Sequence, residues 1–223
     1  DLFEFFKDEK YKKMKVLEIG CGPGRILVPM SKIFGEVIGV DISSEMIQMA
    51  KQNTKDIQNC SVYENSNSDL TQFSNDYFDF CYSNTVFQHI PEKEIVRNYI
   101  FEVARVLKSG SAFGFHVRGN TNDIQYEVNT WSGAEFSIDE INQIGKDNNI
   151  IVIEDNAQTM LGGYKNKLVG QDSDFTMFSF ERTKHITCHE GGMLITNNEV
   201  LAEKARKFAG GGFVNLTSDK SKL

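Results

Sequence analysis

The chain has 223 residues, 40% of them hydrophobic and 25% charged, with 24 Lys+Arg against 31 Asp+Glu and a formal net charge of −7. That mix excludes collagen-like, coiled-coil and wholly disordered classes, and at roughly 150 residues per domain it allows one domain and an incomplete second. An acidic chain without a basic cluster offers no phosphate-neutralising face for nucleic acid. No apolar run approaches the roughly 20 residues of a membrane helix, and Asp1-Leu2-Phe3-Glu4 begins no signal pattern, so the expected location is the cytoplasm. Cys21, Cys60, Cys81 and Cys188 are scattered without a C-x-x-C pair and are expected to be reduced thiols.

From Lys15 onward, short apolar runs alternate with helical patterns, as in parallel strands joined by crossover helices. The predicted order is a strand over 16–19, a helix over 26–34, a strand over 37–40, and a helix over 44–52 capped by Ser43. Strands follow at 62–63 and 78–82. Ile95, Tyr99, Val103, Val106 and Leu107 recur at helical spacing after Pro91, with Gly110 expected as the C-terminal cap. A fifth strand over 112–117 leads to a polar, aperiodic stretch over 118–129, read as a loop at an active-site mouth. Beyond it come a helix over 137–147, a fully apolar strand over 150–153, strands over 175–180 and 193–196, a helix over 199–208 and the run Gly210-Gly211-Gly212.

Glu18-Ile19-Gly20-Cys21-Gly22-Pro23-Gly24 puts glycines at alternate positions where the first strand turns toward the first helix, so that a ligand can lie against bare backbone. In the dinucleotide pattern G-x-G-x-x-G a third glycine would fall at position 25, which is Arg25, and this weakens a nicotinamide reading. Asp41 closes the second strand about 20 residues further on, where a carboxylate can accept hydrogen bonds from both ribose hydroxyls of a nucleoside. A tight turn followed by a helix-capping Asp is the bland alternative for either feature alone.

The run 16–24, followed by Gly39-Val40-Asp41-Ile42-Ser43, resembles the first two motifs of the class I S-adenosylmethionine-dependent methyltransferases. Phe78-Asp79-Phe80-Cys81-Tyr82-Ser83, Val86-Phe87-Gln88-His89-Ile90-Pro91 and Ala104-Arg105-Val106-Leu107-Lys108-Ser109-Gly110 resemble later segments of the same family, so the likeness covers roughly 14–145. It implies a Rossmann-like doubly wound α/β sheet that binds S-adenosylmethionine at the carboxyl ends of its strands. It further implies that Glu18, Gly20, Cys21, Gly22 and Gly24 line the methionine and ribose part, that Asp41 with Ile42 meets the ribose, and that Ser83 borders the site. The family often has an acid after strand three for the adenine amine. Here the stretch is Asn65-Ser66-Asn67-Ser68-Asp69, with Asn67 and Asp69 both candidates.

A sulfonium methyl is already activated, so an enzyme of this kind mainly aligns the acceptor and excludes water. For a hydroxyl acceptor His89 is the best-placed base, and fixing its own loop is the plainer role. Asp123, Glu127 and Trp131 are candidates for touching the acceptor, against the simpler reading of a solvated loop and an anchor.

Ile151-Val152-Ile153-Glu154-Asp155-Asn156-Ala157-Gln158, then Phe178-Ser179-Phe180, Thr183-Lys184 and Glu190-Gly191-Gly192-Met193, is similar to a different family, the DegT/DnrJ/EryC1-type sugar aminotransferases that use pyridoxal phosphate. The resemblance implies that Asp155 faces the pyridinium nitrogen, Gln158 lies against the ring, Ser179 helps hold the phosphate and Lys184 carries the cofactor. Cys188-His189-Glu190 departs from the pattern, with His189 where the family commonly has glycine. Nothing before Ile150 resembles that family's first half.

The organisation expected is a methyltransferase domain over 1–148 and a partial aminotransferase-like α/β segment over 149–223. The leading function is methyl transfer to a small-molecule acceptor, with nucleotide-sugar or glycan metabolism suggested by the second resemblance. The rivals are pyridoxal-phosphate-dependent transamination and a nucleoside-binding domain without turnover. No metal, nucleic acid or membrane partner is expected, and the residues do not specify an oligomeric state.

Overall fold

The computed structural model describes residues 8–119 and 133–209. Two compact units divide the chain, Asp1–Phe136 and Ser137–Leu223. The helix predicted over 137–147 therefore belongs to the second unit. Asp123, Glu127, Trp131 and the Gly210-Gly211-Gly212 run lie outside the described residues.

In the first unit β1 (Lys15–Ile19), β2 (Glu36–Asp41), β3 (Cys60–Glu64), β4 (Phe78–Ser83) and β5 (Leu107–Phe115) form one sheet of order β3-β2-β1-β4-β5. Every pairing in it is parallel. The chain leaves β1 toward β2 and β3 and returns on the other side with β4 and β5, so the order reverses between β1 and β4. In such doubly wound sheets ligands bind in the crevice at that reversal, outside the carboxyl ends of the strands.

Both faces of this sheet are covered. Val16 packs in a cluster with Leu27, Ile33, Phe34, Ile47 and Ala50 from the first two crossovers, while Leu17 and Ile19, which the pleat turns to the opposite face, are as fully buried. Helix α1 (Leu27–Ser31) is shorter than the predicted 26–34. Pro29 cannot donate to the helical ladder, and after Ser31 the bonds tighten: the Lys32 amide donates to the Pro29 carbonyl and that of Ile33 to Met30. Ile33 and Phe34 reach the core from these turns. Helix α2 (Ser44–Thr54) starts as expected, the Ser43 side chain accepting from the Met46 amide at 3.3 Å.

Helix α3 (Lys93–Val106) buries Val96, Tyr99, Ile100, Val103 and Val106 along one stripe. Gly110 is not its cap. The chain passes from Val106 directly into β5, because the Arg105 and Val106 carbonyls accept from the Asp76 and Tyr77 amides at 3.1 and 2.8 Å. Gly110 lies inside β5 at φ +82°, where the register with β4 shifts between Phe78 and Phe80, so the glycine supplies a bulge. The strand consequently spans 107–115 in place of the expected 112–117. β6 (Arg118–Gly119) then pairs with β7 (Glu135–Phe136).

In the second unit α4 (Ile138–Asp147) opens on a capping box: the Ser137 side chain accepts from the Glu140 amide, and Glu140 accepts from the Ser137 amide. β8 (Ile153–Asp155) starts three residues later than the predicted strand over 150–153. The Ile150 amide is held by the Gly145 carbonyl and that of Val152 by the Asp174 carboxylate, so pairing with β11 begins only at the Val152 carbonyl, which accepts from the Phe175 amide. β9 (Gly163–Tyr164) and β10 (Lys167–Leu168) form a hairpin that the apolar pattern did not signal. β11 (Phe175–Ser179) runs parallel to β8 and antiparallel to β12 (Gly192–Ile195). Helix α5 (Glu199–Ala209) follows. Among the described residues no helix is long and apolar enough to cross a membrane.

Candidate functional site

The glycine loop leaves β1 at the reversal point and folds back over β2. The Gly20 and Cys21 amides both donate to the Val40 carbonyl, at 2.8 and 3.0 Å. Gly20, Gly22 and Gly24 hold φ of +73°, +51° and +80°, so each occupies backbone space where an L side chain is strained. Their surroundings differ. A Cβ on Gly20 would collide with Val86 and one on Gly24 would touch Ala50 and Thr54, whereas one on Gly22 would meet nothing within 4 Å. The backbone at Gly22 therefore faces open space. With five residues, α1 (Leu27–Ser31) is too short for its N-terminus to form an anion site.

Asp41 ties this loop to the end of β2. Its Oδ2 accepts from the Gly22 amide at 2.8 Å and its Oδ1 from the Ser43 amide at 2.9 Å. Each carboxylate oxygen keeps a lone pair, so the group is oriented by backbone and still able to receive two hydroxyls. Ile42, next to it, is 69% exposed, an apolar surface beside a polar anchor.

Glu18 lies below the loop, 2% exposed. It is in register with Tyr82 on β4 and Gly39 on β2, and the Tyr82 hydroxyl donates to its Oε2 at 3.0 Å. Burial first, and then the negative charge of Asp41, push the Glu18 carboxyl up to about 8 against the opposing pull of the Tyr82 hydrogen bond. Burial likewise pushes the Cys21 thiol up to about 12, with Glu18 and Asp41 adding to it. Tyr82 was not singled out in the sequence. Its signal was positional: β4 pairs with β1, and only that register puts its hydroxyl opposite a buried acid.

Ser83 is buried with its hydroxyl donating to the Ile19 carbonyl at 3.0 Å, so it ties the ends of β1 and β4 together. After β3, the buried Asn65 organises the next loop. Its amide donates to the Asp41 carbonyl at 2.9 Å, its side chain donates to the Asn67 carbonyl at 2.6 Å, and the Tyr99 hydroxyl reaches the same carbonyl at 3.1 Å. The carboxylate of Asp69 is engaged by Thr71, while Asn67 is exposed. Arg105 closes the far side of the loop, pairing with both Glu102 oxygens and donating to the Leu70 and Phe73 carbonyls.

After β4, Thr85 takes φ +61°, an outlier for a β-branched residue, before the 3-10 turn Phe87–His89. His89 is partly buried, 3.1 Å from the Gln88 side chain across its Nε2. The turn is held from outside by Gly133 and Ala134, whose amides donate to the Gln88 and Ile90 carbonyls.

The second group of predicted residues sits in the second unit. Pairing of Met177 with Asp155 puts Asp155 and Ser179 on one face of the sheet, since Met177 and Ser179 alternate in step. The Asp155 carboxylate accepts from the Ala157 amide at 2.8 Å, and Ser179 accepts from Glu181 at 3.4 Å. Lys184 follows in the turn after β11, its amide on the Glu181 carbonyl. Gln158 is exposed. His189, at the position expected to be glycine, holds φ +78°.

Two family descriptions match in succession: a methyltransferase domain over residues 16–110 and the DegT/DnrJ/EryC1/StrS aminotransferase family over residues 127–222. Among solved structures, the YcgJ protein from Bacillus subtilis superposes with a TM-score of 0.53 at 25% identity, over 66% of each chain. The GDP-perosamine synthase of Escherichia coli O157:H7 is 39% identical over 80 residues, 36% of this chain and 22% of its own length. A UDP-4-amino-4,6-dideoxy-N-acetyl-beta-L-altrosamine transaminase of Campylobacter jejuni is 34% identical over 98 residues, 44% of this chain and 26% of its own. The chain thus spans about a quarter of the length of these two relatives. The first unit has a Rossmann-like fold that resembles a methyltransferase domain over residues 16–110, and the later part of the chain resembles a portion of the aminotransferase family over residues 127–222.

Proposed function

We propose that the first unit binds S-adenosylmethionine across Gly20–Gly24 and Asp41 and transfers its methyl group to a small-molecule acceptor. The observation that carries this reading is the open backbone at Gly22 beside an Asp41 carboxylate already oriented by two amides, within the segment that matches a methyltransferase domain. When bound, the cofactor supplies a methyl group already activated by its sulfonium. The chain's own work is to hold and orient: Asp41 receives the ribose hydroxyls, Ile42 offers apolar surface toward the base, and Asn67 presents an amide for the adenine edge. Glu18 is the buried acid beneath the loop. His89 steadies the loop after β4 against the acceptor.

Calorimetric titration of S-adenosylmethionine into the chain tests this. Asp41→Ala is expected to weaken binding by about 1–3 kcal/mol through loss of a charged acceptor, and Gly22→Val to abolish it by filling the open space. His89→Ala leaves that affinity unchanged and lowers turnover only slightly. Absence of binding by a folded sample, or preference for NAD, overturns the reading.

A second reading concerns the other unit, where Asp155 and Ser179 share one sheet face within the aminotransferase match. In that reading the unit descends from a sugar-modifying enzyme, and Lys184 is the residue that would hold pyridoxal phosphate. Ser179 is the one residue the resemblance assigns to the phosphate dianion, so the chain by itself is expected to lack transaminase activity. Borohydride trapping followed by peptide mapping reads this out, and stoichiometric labelling of Lys184 together with turnover of an amino donor would reverse the ranking of the two units.

A further inference from the structure

Glu18 is a buried acid with no cationic neighbour among the described residues. The groups around it are the Tyr82 hydroxyl from β4 at 3.0 Å, the Asp41 carboxylate from the end of β2, and the Cys21 thiol in the loop; the Cys60 thiol on β3 senses it as well. Among the described residues no lysine or arginine contributes to its environment, and Asp41 adds a negative charge where a positive one would be needed to keep Glu18 ionised. Gly39, opposite it on β2, contributes no side chain. A carboxyl so placed holds its proton in the free protein through neutrality, and with Tyr82 donating to Oε2 that proton sits on Oε1.

Resting on the methyltransferase reading, we propose that binding of a cationic nucleoside at the glycine loop expels one proton from the protein, and that the proton leaves the Glu18 carboxyl. The Oε1–H bond breaks, the proton passes to buffer, and the carboxylate left behind faces the ligand's positive charge while Tyr82 continues to donate to Oε2. The other neighbours do not compete as the source. Burial pushes the Cys21 thiol to about 12, and raises Cys60 and the Tyr82 hydroxyl as well, so all three stay protonated through neutral pH. The coupling makes the site selective for charge: a ligand without a cation has nothing to offset the ionisation and binds with Glu18 still neutral.

Calorimetry of the full chain with S-adenosylmethionine at pH 7, in two buffers of different ionisation enthalpy, counts the protons released. Close to one proton is expected, with affinity rising by up to tenfold per pH unit from pH 6 to about 8 and levelling above. Adenosine, which has the ribose and base but no charge, should bind with no proton release and no pH dependence. Glu18→Gln should abolish the release, and Tyr82→Phe, which removes the one stabilising donor, should move the pH dependence upward and so tests the assignment if the Gln variant fails to fold. Binding of S-adenosylmethionine with no proton release and constant affinity from pH 6 to 9 overturns this proposal while leaving the methyltransferase reading intact. Absence of binding at any pH overturns that reading itself.

Discussion

The five-stranded sheet of the first unit and the three-stranded sheet of the second both contain apolar strands and end in opposite situations. In the first, Val16, Leu17, Glu18 and Ile19 of β1 are all buried, because α1 and α2 cover one face and the strand's other face is closed as well. In the second, every residue of β12 is exposed, and Ile153, Met177 and Leu194 on one face lie open together. Apolar periodicity reports that a strand expects a cover. It does not report whether the cover is present, because a sheet is stable only as one of at least two packed layers.

The difference can be tested directly by truncating a leucine in each sheet. Leu17→Ala empties a fully buried position and should cost about 2–5 kcal/mol of first-unit stability in denaturant titrations. Leu194→Ala, at a position 48% exposed, should cost less than about 0.5 kcal/mol. A comparable loss at both sites would mean that the second sheet is covered in solution.

The buried acid sharpens the contrast through pH. Folding lifts the Glu18 carboxyl from the usual glutamate range to about 8, so between these values the folded unit binds more protons than the unfolded chain. Stability therefore falls as pH rises from about 5 to 8, by roughly 1 kcal/mol per unit from this group. In Glu18→Gln the slope should disappear, as followed by midpoints of chemical unfolding at each pH.

A smaller effect is expected at Arg105. Its guanidinium pairs with both oxygens of Glu102 and satisfies the Leu70 and Phe73 carbonyls, a geometry a lysine cannot reproduce. Arg105→Lys should cost about 1–2 kcal/mol, and amide exchange should quicken over 65–73. A change of opposite sign is expected in the second unit, where His189→Gly relieves a left-handed backbone at φ +78° and should stabilise by about 0.5–1 kcal/mol.

Local chemistry was legible in the sequence and long-range partnership was not. The glycine loop, Asp41 and the Ser43 cap follow from spacing and side-chain type, and in the structure the loop closes on Asp41 and Ser43 caps its helix. The expected Gly110 cap failed because the Asp76 and Tyr77 amides satisfy the end of α3 from 30 residues away in the chain. The strand over 150–153 shifted for the same kind of reason, a carboxylate at Asp174 holding the Val152 amide. Tyr82 on Glu18 and Tyr99 on the Asn67 carbonyl are likewise separated by 64 and 32 residues. Such pairs come into view only when strand register is known.

The four cysteines, so far relevant only as thiols that stay protonated, also provide a selective chemical handle. Cys21 and Cys81 are buried and Cys60 is partly covered, whereas Cys188 is exposed in the turn before β12. Burial pushes the Cys21, Cys60 and Cys81 thiols up and so suppresses their thiolates, and the thiolate is the species that alkylating reagents consume. A maleimide dye at limiting dose therefore marks the second unit of the native chain at a single position, without any substitution, and reports on that unit alone.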